Sequence, residues 1–214
     1  MKILNQSWLS LLQQHRGIAV IRASQYSLGY QMALSVARGG ISFIEITWNS
    51  DRAPELIAKL REELPECKIG TGTLLHLAQL RDAVSAGAQF LFTPHVDITL
   101  IHAAEEANIP IVPGALSPTE IVTAFNAGAS CVKVFPIQAV GGVNYIRALQ
   151  GPLGHIPLIP TGGVNMGNAR EFIASGAIAV GLSGDLFPKA FVEAGNWDGI
   201  TQLAQSLNQS LMTN

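Results

Sequence analysis

Cysteine is scarce. The 214 residues contain only Cys67 and Cys131, too few for a disulfide framework, and both fall in apolar runs. A reduced, cytoplasmic setting is the economical expectation. Charge is scarce too, at 13% of residues against about 25% in ordinary soluble chains. The formal net charge of −2 leaves no basic footprint for a nucleic-acid partner. No apolar run approaches the ~18 residues of a membrane span, so no membrane partner is expected. The opening stretch, residues 1–9, lacks the continuous apolar core and small-residue ending of a secretion signal and reads as a capping helix. His15, His76, His95, His102 and His155 show no paired metal-ligand spacing. There is no Walker-type loop and no nucleophile elbow. Neither a metal nor a cofactor is therefore expected. Among the histidines only His95, just after Pro94, is placed to face a site.

What the chain has in plenty is apolar sequence, 48% of residues. It comes in short runs at 17–22, 43–47, 68–73, 89–94, 110–114, 130–136, 157–163 and 177–184. Their length and composition indicate buried strands. Between them lie helical patterns near 27–38, 53–64, 76–86, 98–107, 143–149, 168–174 and 198–211. Another helix starts at Ser117-Pro118-Thr119-Glu120, with a capping serine and a proline in its first turn. A phrase recurs at the entry to four strands: Gly39-Gly40-Ile41, Ala86-Gly87-Ala88, Ala127-Gly128-Ala129 and Ser175-Gly176-Ala177. Each puts glycine at a helix C-terminus, where a left-handed residue is wanted. Eight strand-then-helix units with continuously apolar strands predict a parallel sheet covered by helices. Their number points to a closed (β/α)8 TIM barrel with an N-terminal capping helix, a single domain over residues 1–214.

In such a barrel the reactive groups gather at the C-terminal ends of the strands. The sixth run, Ser130-Cys131-Val132-Lys133-Val134-Phe135-Pro136, carries a lysine in its middle. Alternation turns Cys131, Lys133 and Phe135 one way and Val132 and Val134 the other. Two readings of Lys133 are open. Burial would favour its neutral, nucleophilic amine, which can form a Schiff base with a ketone. Alternatively its stem lies on apolar surface while its head reaches water. Glu45 is the only carboxylate inside a strand run and shares a face with Phe43 and Thr47. Two opposite mid-strand charges are hard to dismiss, because unpaired buried charge is costly. An amine and a carboxylate are also the minimal set for Schiff-base chemistry on a keto acid. Arg22, Thr73 and Thr161 end the first, third and seventh runs. Each also has a structural reading as a salt-bridged or hydrogen-bonded residue. The last two runs lead into Thr161-Gly162-Gly163-Val164 and Gly181-Leu182-Ser183-Gly184. Glycines there let backbone amides and a short helix start approach a phosphate.

These residues carry a resemblance. Ile44-Glu45-Ile46-Thr47, Gly70-Thr71-Gly72-Thr73, Thr93-Pro94-His95, Val132-Lys133-Val134-Phe135-Pro136, Gly141-Gly142 and Pro160-Thr161-Gly162-Gly163-Val164 are similar to class I aldolases acting on 2-keto-3-deoxy-6-phosphogluconate (KDPG). Such enzymes often also act on 4-hydroxy-2-oxoglutarate (KHG). The resemblance implies a cytoplasmic homotrimer of barrels in the Entner–Doudoroff pathway. It would cleave the phosphorylated keto acid to pyruvate and glyceraldehyde 3-phosphate without metal or cofactor. Lys133 would be the Schiff-base residue and Glu45 the acid/base. Thr73 and Thr161 would bind substrate, Pro94 and Phe135 would wall the site, and Gly162, Gly163 and Ser183 would hold phosphate. Two departures stand out. Many members place an arginine shortly after the glutamate where this chain has Asn49, and Arg22 matches members with an arginine ending the first strand, so Arg22 takes the anion-binding role. Asn49-Ser50 and Gly181-Leu182-x-x-Asp185-Leu186 are similar to the related 6-phosphogalactonate aldolases. The alternatives are therefore the galactonate-series substrate, unphosphorylated KHG, or a barrel that binds a phosphorylated ligand without turnover.

Overall fold

The computed structural model describes residues 2–212. Eight parallel strand positions follow one another, each leading to a helix. They are β1 (Gly17–Ile21), β2 (Phe43–Thr47), β3 (Lys68–Gly72), β4 (Leu91–Phe92), β5 (Ile111–Val112 and Gly114–Ala115), β6 (Val132–Val134), β7 (Leu158–Pro160) and β8 (Val180–Leu182). β5 is in two pieces because Pro113 between them has no N–H to give the ladder. Its first piece pairs with β4 and its second with β6, while Thr161 bridges Gly181 between the ends of β7 and β8. With β8 paired to β1, the strands close into a (β/α)8 barrel.

The helices are α1 (Lys2–His15), α2 (Tyr26–Arg38), α3 (Ala53–Glu63), α4 (Leu77–Ser85), α5 (Ile98–Glu106), α6 (Pro118–Asn126), α7 (Val143–Leu153), α8 (Ala169–Ala174), α9 (Lys189–Glu193) and α10 (Trp197–Met212). The expected elements are present, and the later strands are shorter than their apolar runs. α9 and a 3₁₀ turn at Ile137–Val140 add to them. Ser117 caps α6, accepting from the Glu120 amide while the Glu120 carboxylate takes the Ser117 N–H. The repeated glycines do what their position predicts: Gly40, Gly87, Gly128 and Gly176 all have φ between 87° and 105°, and each turns a helix into the next strand. Among the described residues no helix is long and apolar enough to cross a membrane.

Alternation sorts the strand side chains into two layers. Val132 and Val134 join Ile44, Ile46 and Leu182 between sheet and helices. Phe43, Phe90, Phe92, Cys131, Ile159 and Ala179 fill the barrel interior. Gly70 makes room for this packing, since a Cβ there would overlap the Phe90 ring. α1 closes the N-terminal mouth. Its Trp8 is 5% exposed and meets Phe43 edge-on and Phe90 at a tilt, with ring centroids 5.2 Å away in both cases. This apolar plug lies at the end of the barrel where the strands begin. Trp8→Ala is expected to cost about 3–5 kcal/mol of stability, the scale of a buried large-to-small truncation. Denaturant unfolding measures it, and an unmoved midpoint would mean that α1 is not part of the barrel core.

Candidate active site

Two strands on opposite sides of the ring supply the reactive pair. Lys133 sits in the middle of β6 between Gly114 and Ile159 of the flanking strands. Glu45 sits in the middle of β2 between Val20 and Gly70. Both point inward, with Lys133 5% and Glu45 1% exposed. The reading of Lys133 as a lysine that reaches water is therefore set aside. Its Nζ lies 4.6 Å from the Phe135 ring centroid and 5.7 Å from that of Phe92. The face of an aromatic ring attracts a cation, though here the same rings also exclude the water a cation needs.

Electrostatics follow from this burial. Desolvation pushes the Lys133 amine below the ordinary lysine range, against the pull of Glu45, and the Arg22 charge lowers it further. Desolvation pushes Glu45 above the ordinary carboxylate range, while Lys133 and Arg22 oppose the rise. Oε1 of Glu45 is buried without a hydrogen-bond partner. It occupies a slot against β3 that exists only because Gly72 has no side chain: a Cβ there would overlap it. Cys131, two residues before Lys133 on the same face, shows the contrast. Burial pushes its thiol up to about 12, so it stays protonated and inert at neutral pH.

Above this pair opens a cavity of about 330 Å³. Arg22, Glu45, Thr73, Pro94, Lys133, Phe135, Thr161, Gly162, Gly163 and Ser183 all line it, so the structure brings every candidate residue together. Thr73 stands at the rim with φ 63°, a left-handed backbone that a threonine seldom adopts and that is typical of functional sites. His95 instead lines a neighbouring groove with Pro94, Phe135 and Glu120. Thr47, Val164 and Gly184 line the cavity as well. Thr47 was legible as the residue sharing Glu45's face, and Gly184 as part of the last glycine run. Gly72 had no chemical signal, because its contribution is the absence of a side chain.

One wall is backbone. The carbonyls of Thr161 and Gly162 accept from the amides of Ile137 and Gln138 at 3.0 Å each, and the Gly163 carbonyl accepts from Asn168 Nδ2 at 3.0 Å. In a trans peptide C=O and N–H point oppositely, so the amides of Gly162, Gly163 and Val164 are directed away from these partners. Gly162 and Gly163 have φ of 83° and 99°, which suits only glycine. Asp185 Oδ2 accepts from the Met166 amide at 2.7 Å and fastens this loop to the one carrying Ser183. The expected helix start plays little part, since α8 begins only at Ala169 and has 6 residues. The wall is a curved row of amides suited to an anion.

Fold and site together define a barrel with a buried amine and a carboxylate lining one cavity beneath a rim of backbone amides and an arginine. The comparisons with known proteins agree with that class. The model of the KDPG and KHG aldolase family matches residues 9–203. The KHG/KDPG aldolase of Escherichia coli K12 is 33% identical over 205 residues, 96% of each chain. The 2-dehydro-3-deoxy-phosphogluconate aldolase of Haemophilus influenzae is 34% identical over 208 residues, 97% of this chain and 98% of its own. The KDPG aldolase of Legionella pneumophila, solved with pyruvate captured as a covalent carbinolamine, superposes with a TM-score of 0.86 at 28% identity, covering 93% of this chain and 97% of its own. A native KDPGal structure gives 0.82 at 28% identity over 91% and 93%. The chain belongs to the KDPG and KHG aldolase family and is accordingly a lyase.

Because Glu45 raises the Lys133 pKa, removing its charge should move the titration down. Imine formation needs the neutral amine, so trapping with pyruvate should rise with pH through the folded Lys133 pKa, below the ordinary lysine value. In Glu45→Gln the midpoint of that rise should fall at lower pH than in the parent protein. An equal or higher midpoint would show that no carboxylate charge acts on the amine.

Proposed function

We propose that this chain is a class I aldolase that cleaves KDPG to pyruvate and glyceraldehyde 3-phosphate through a Schiff base on Lys133, without a metal. The observation that carries the reading is the buried, depressed Lys133 amine facing Glu45 in one cavity. The neutral amine attacks the C2 ketone, and Glu45 supplies and removes protons as the carbinolamine loses water. The resulting iminium is an electron sink. Glu45 takes the C4 hydroxyl proton, the C3–C4 bond breaks, and its electron pair moves to the iminium as an enamine. Glyceraldehyde 3-phosphate leaves, C3 is reprotonated, and water releases pyruvate and regenerates the amine. A single group that alternates between acid and base works best with a pKa moved toward neutrality, and burial moves Glu45 that way.

The other residues serve binding. Thr73 and Thr161 hydrogen-bond the keto acid, with Thr73 on its carboxylate, while Pro94 and Phe135 form apolar walls. The amides of Gly162 and Gly163 and the Ser183 hydroxyl take the 6-phosphate. Arg22 supplies the positive charge for an anionic end of the substrate, since Asn49 cannot. A second reading is favoured by the Asn49-Ser50 pair and by Asp185 after the last strand: the galactonate-series epimer at C4. Assaying the two epimeric phosphorylated keto acids and KHG side by side separates these, and the highest kcat/KM identifies the substrate. A bound ligand without turnover of any of them would favour the non-enzymatic alternative.

Borohydride reduction in the presence of pyruvate should label Lys133 and none of Lys2, Lys59, Lys68 and Lys189. Lys59, Lys68 and Lys189 reach solvent and none of them lines the cavity that holds Lys133 and Glu45. Label on another lysine with Lys133 untouched would overturn the mechanism.

The assembly that goes with this reading is a cytoplasmic homotrimer. Exposed Ile98 begins α5 and lines the groove between α4 and α5 with Leu77, Leu80 and Val84, and exposed Leu75 lies two residues before α4; this apolar surface is available for contact between copies. Light scattering should give three chain masses, and a single chain mass at micromolar concentration would exclude it.

A further inference from the structure

Arg22 leaves β1 just beyond the last ladder pair, Ile21 with Ile46. From there its course needs an anchor other than the sheet. The two backbone groups that flank it meet the same atom. The Ala23 amide donates to Ser50 Oγ at 3.2 Å, and Ser50 Oγ donates to the Ile21 carbonyl at 3.5 Å. Thr47 Oγ1 lies 3.1 Å from that same oxygen. Ser50 is itself held, its amide donating to the Thr47 carbonyl at 2.9 Å, and it is 7% exposed. One residue on, the Asp51 amide donates to the Ala23 carbonyl at 2.9 Å, and the Asp51 carboxylate accepts from the Tyr26 amide at 2.9 Å. The loop after β2 is therefore laced to the end of β1 around an arginine whose own side chain is exposed. Ser50 does not line the cavity, although Arg22 and Thr47 do.

We propose that Ser50 is the positioning residue of Arg22: its hydroxyl holds the backbone on both sides of the arginine and so aims the guanidinium at the anionic end of the substrate. The proposal rests on the reading of Arg22 as the anion-binding residue. It assigns a division of labour between neighbouring loops, in which the loop after β2 brings no charge at Asn49 but fixes the charge that β1 brings. Without the hydroxyl the buried Ala23 N–H loses its acceptor, and Arg22 no longer leaves the strand in one direction. Binding then weakens, while the amine and carboxylate deeper in the barrel keep their places.

The test is steady-state cleavage of the phosphorylated keto acid by Ser50→Ala, Ser50→Thr, Arg22→Ala and the Ser50→Ala/Arg22→Ala double variant, each checked for folding by circular dichroism. Ser50→Ala should raise KM about 5–20-fold with kcat within about threefold, the pattern of lost ground-state binding. Ser50→Thr, which keeps the hydroxyl, should restore most of the loss. In the Arg22→Ala background Ser50→Ala should change KM by less than about twofold, since coupled residues are non-additive. An equal KM change in both backgrounds, or a fall in kcat at constant KM, overturns the proposal and leaves Ser50 a turn residue. A wild-type KM in Arg22→Ala alone instead overturns the reading of Arg22. Should Ser50→Ala not fold, Ser50→Cys, close in size but a weak acceptor, carries the same expectations.

Discussion

The site depends on one constraint: two opposite charges share an interior that will not solvate either. Apolar surroundings penalise the ionised forms of Lys133 and Glu45 alike, and their attraction across the barrel offsets only part of that. Neither group rests in its ordinary state. Burial holds the Lys133 amine below its ordinary pKa range and the Glu45 carboxyl above its own, so each is biased toward its neutral form. Such an arrangement costs stability, because buried ionisable groups are poor contributors to folding. The rest of the barrel carries that cost with Phe43, Phe90 and Phe92 packed beneath the pair and Trp8 sealing the far mouth.

Rigid and adaptable parts are separated along the barrel axis. Groups that must be exact in position are mid-strand, where two neighbouring strands fix the backbone. Glu45 is further confined by the slot at Gly72. Arg22, Gly162, Gly163 and Ser183, which line the cavity above the pair, lie beyond the strand ends, and their loops are tied to neighbouring ones. Gly162 is bound to the turn after β6, the Met166 loop to Asp185, and the Arg22 segment to Ser50. These ties matter because a loop left free would have to be ordered by the ligand, at the expense of affinity.

Much of this was legible in the sequence, for identifiable reasons. Strand periodicity commits Lys133 and Glu45 each to one face of its strand, and the recurring helix-end glycines announce the repeating unit that closes into a ring. The lined cavity was legible residue by residue because its members sit at strand ends, a position that eight parallel strands bring to one face. Other features were not legible. The break in β5 follows from the missing N–H of Pro113, which looks in sequence like one more residue of an apolar run. The Glu45 slot depends on a glycine one strand away. The ties made by Ser50 and Asp185 join residues that are ordinary loop polars until the loops are seen side by side. The amides that wall the cavity are directed by where their carbonyls are bound, and no side-chain pattern records that.

Arg22 links the two levels. Its charge lowers the pKa of Lys133 and of Glu45 together, which favours the neutral amine and the ionised carboxylate. A cation at the rim therefore biases both members of the pair below it. An anion paired with the guanidinium would partly cancel that influence. The pKa of both groups would then rise, making the Lys133 amine more basic and holding Glu45 more firmly in its protonated form. A cation at the end of β1, whose backbone is tied to the neighbouring loop through Ser50, thus acts on both members of the buried pair through one charge, which the neutral Asn49 could not do.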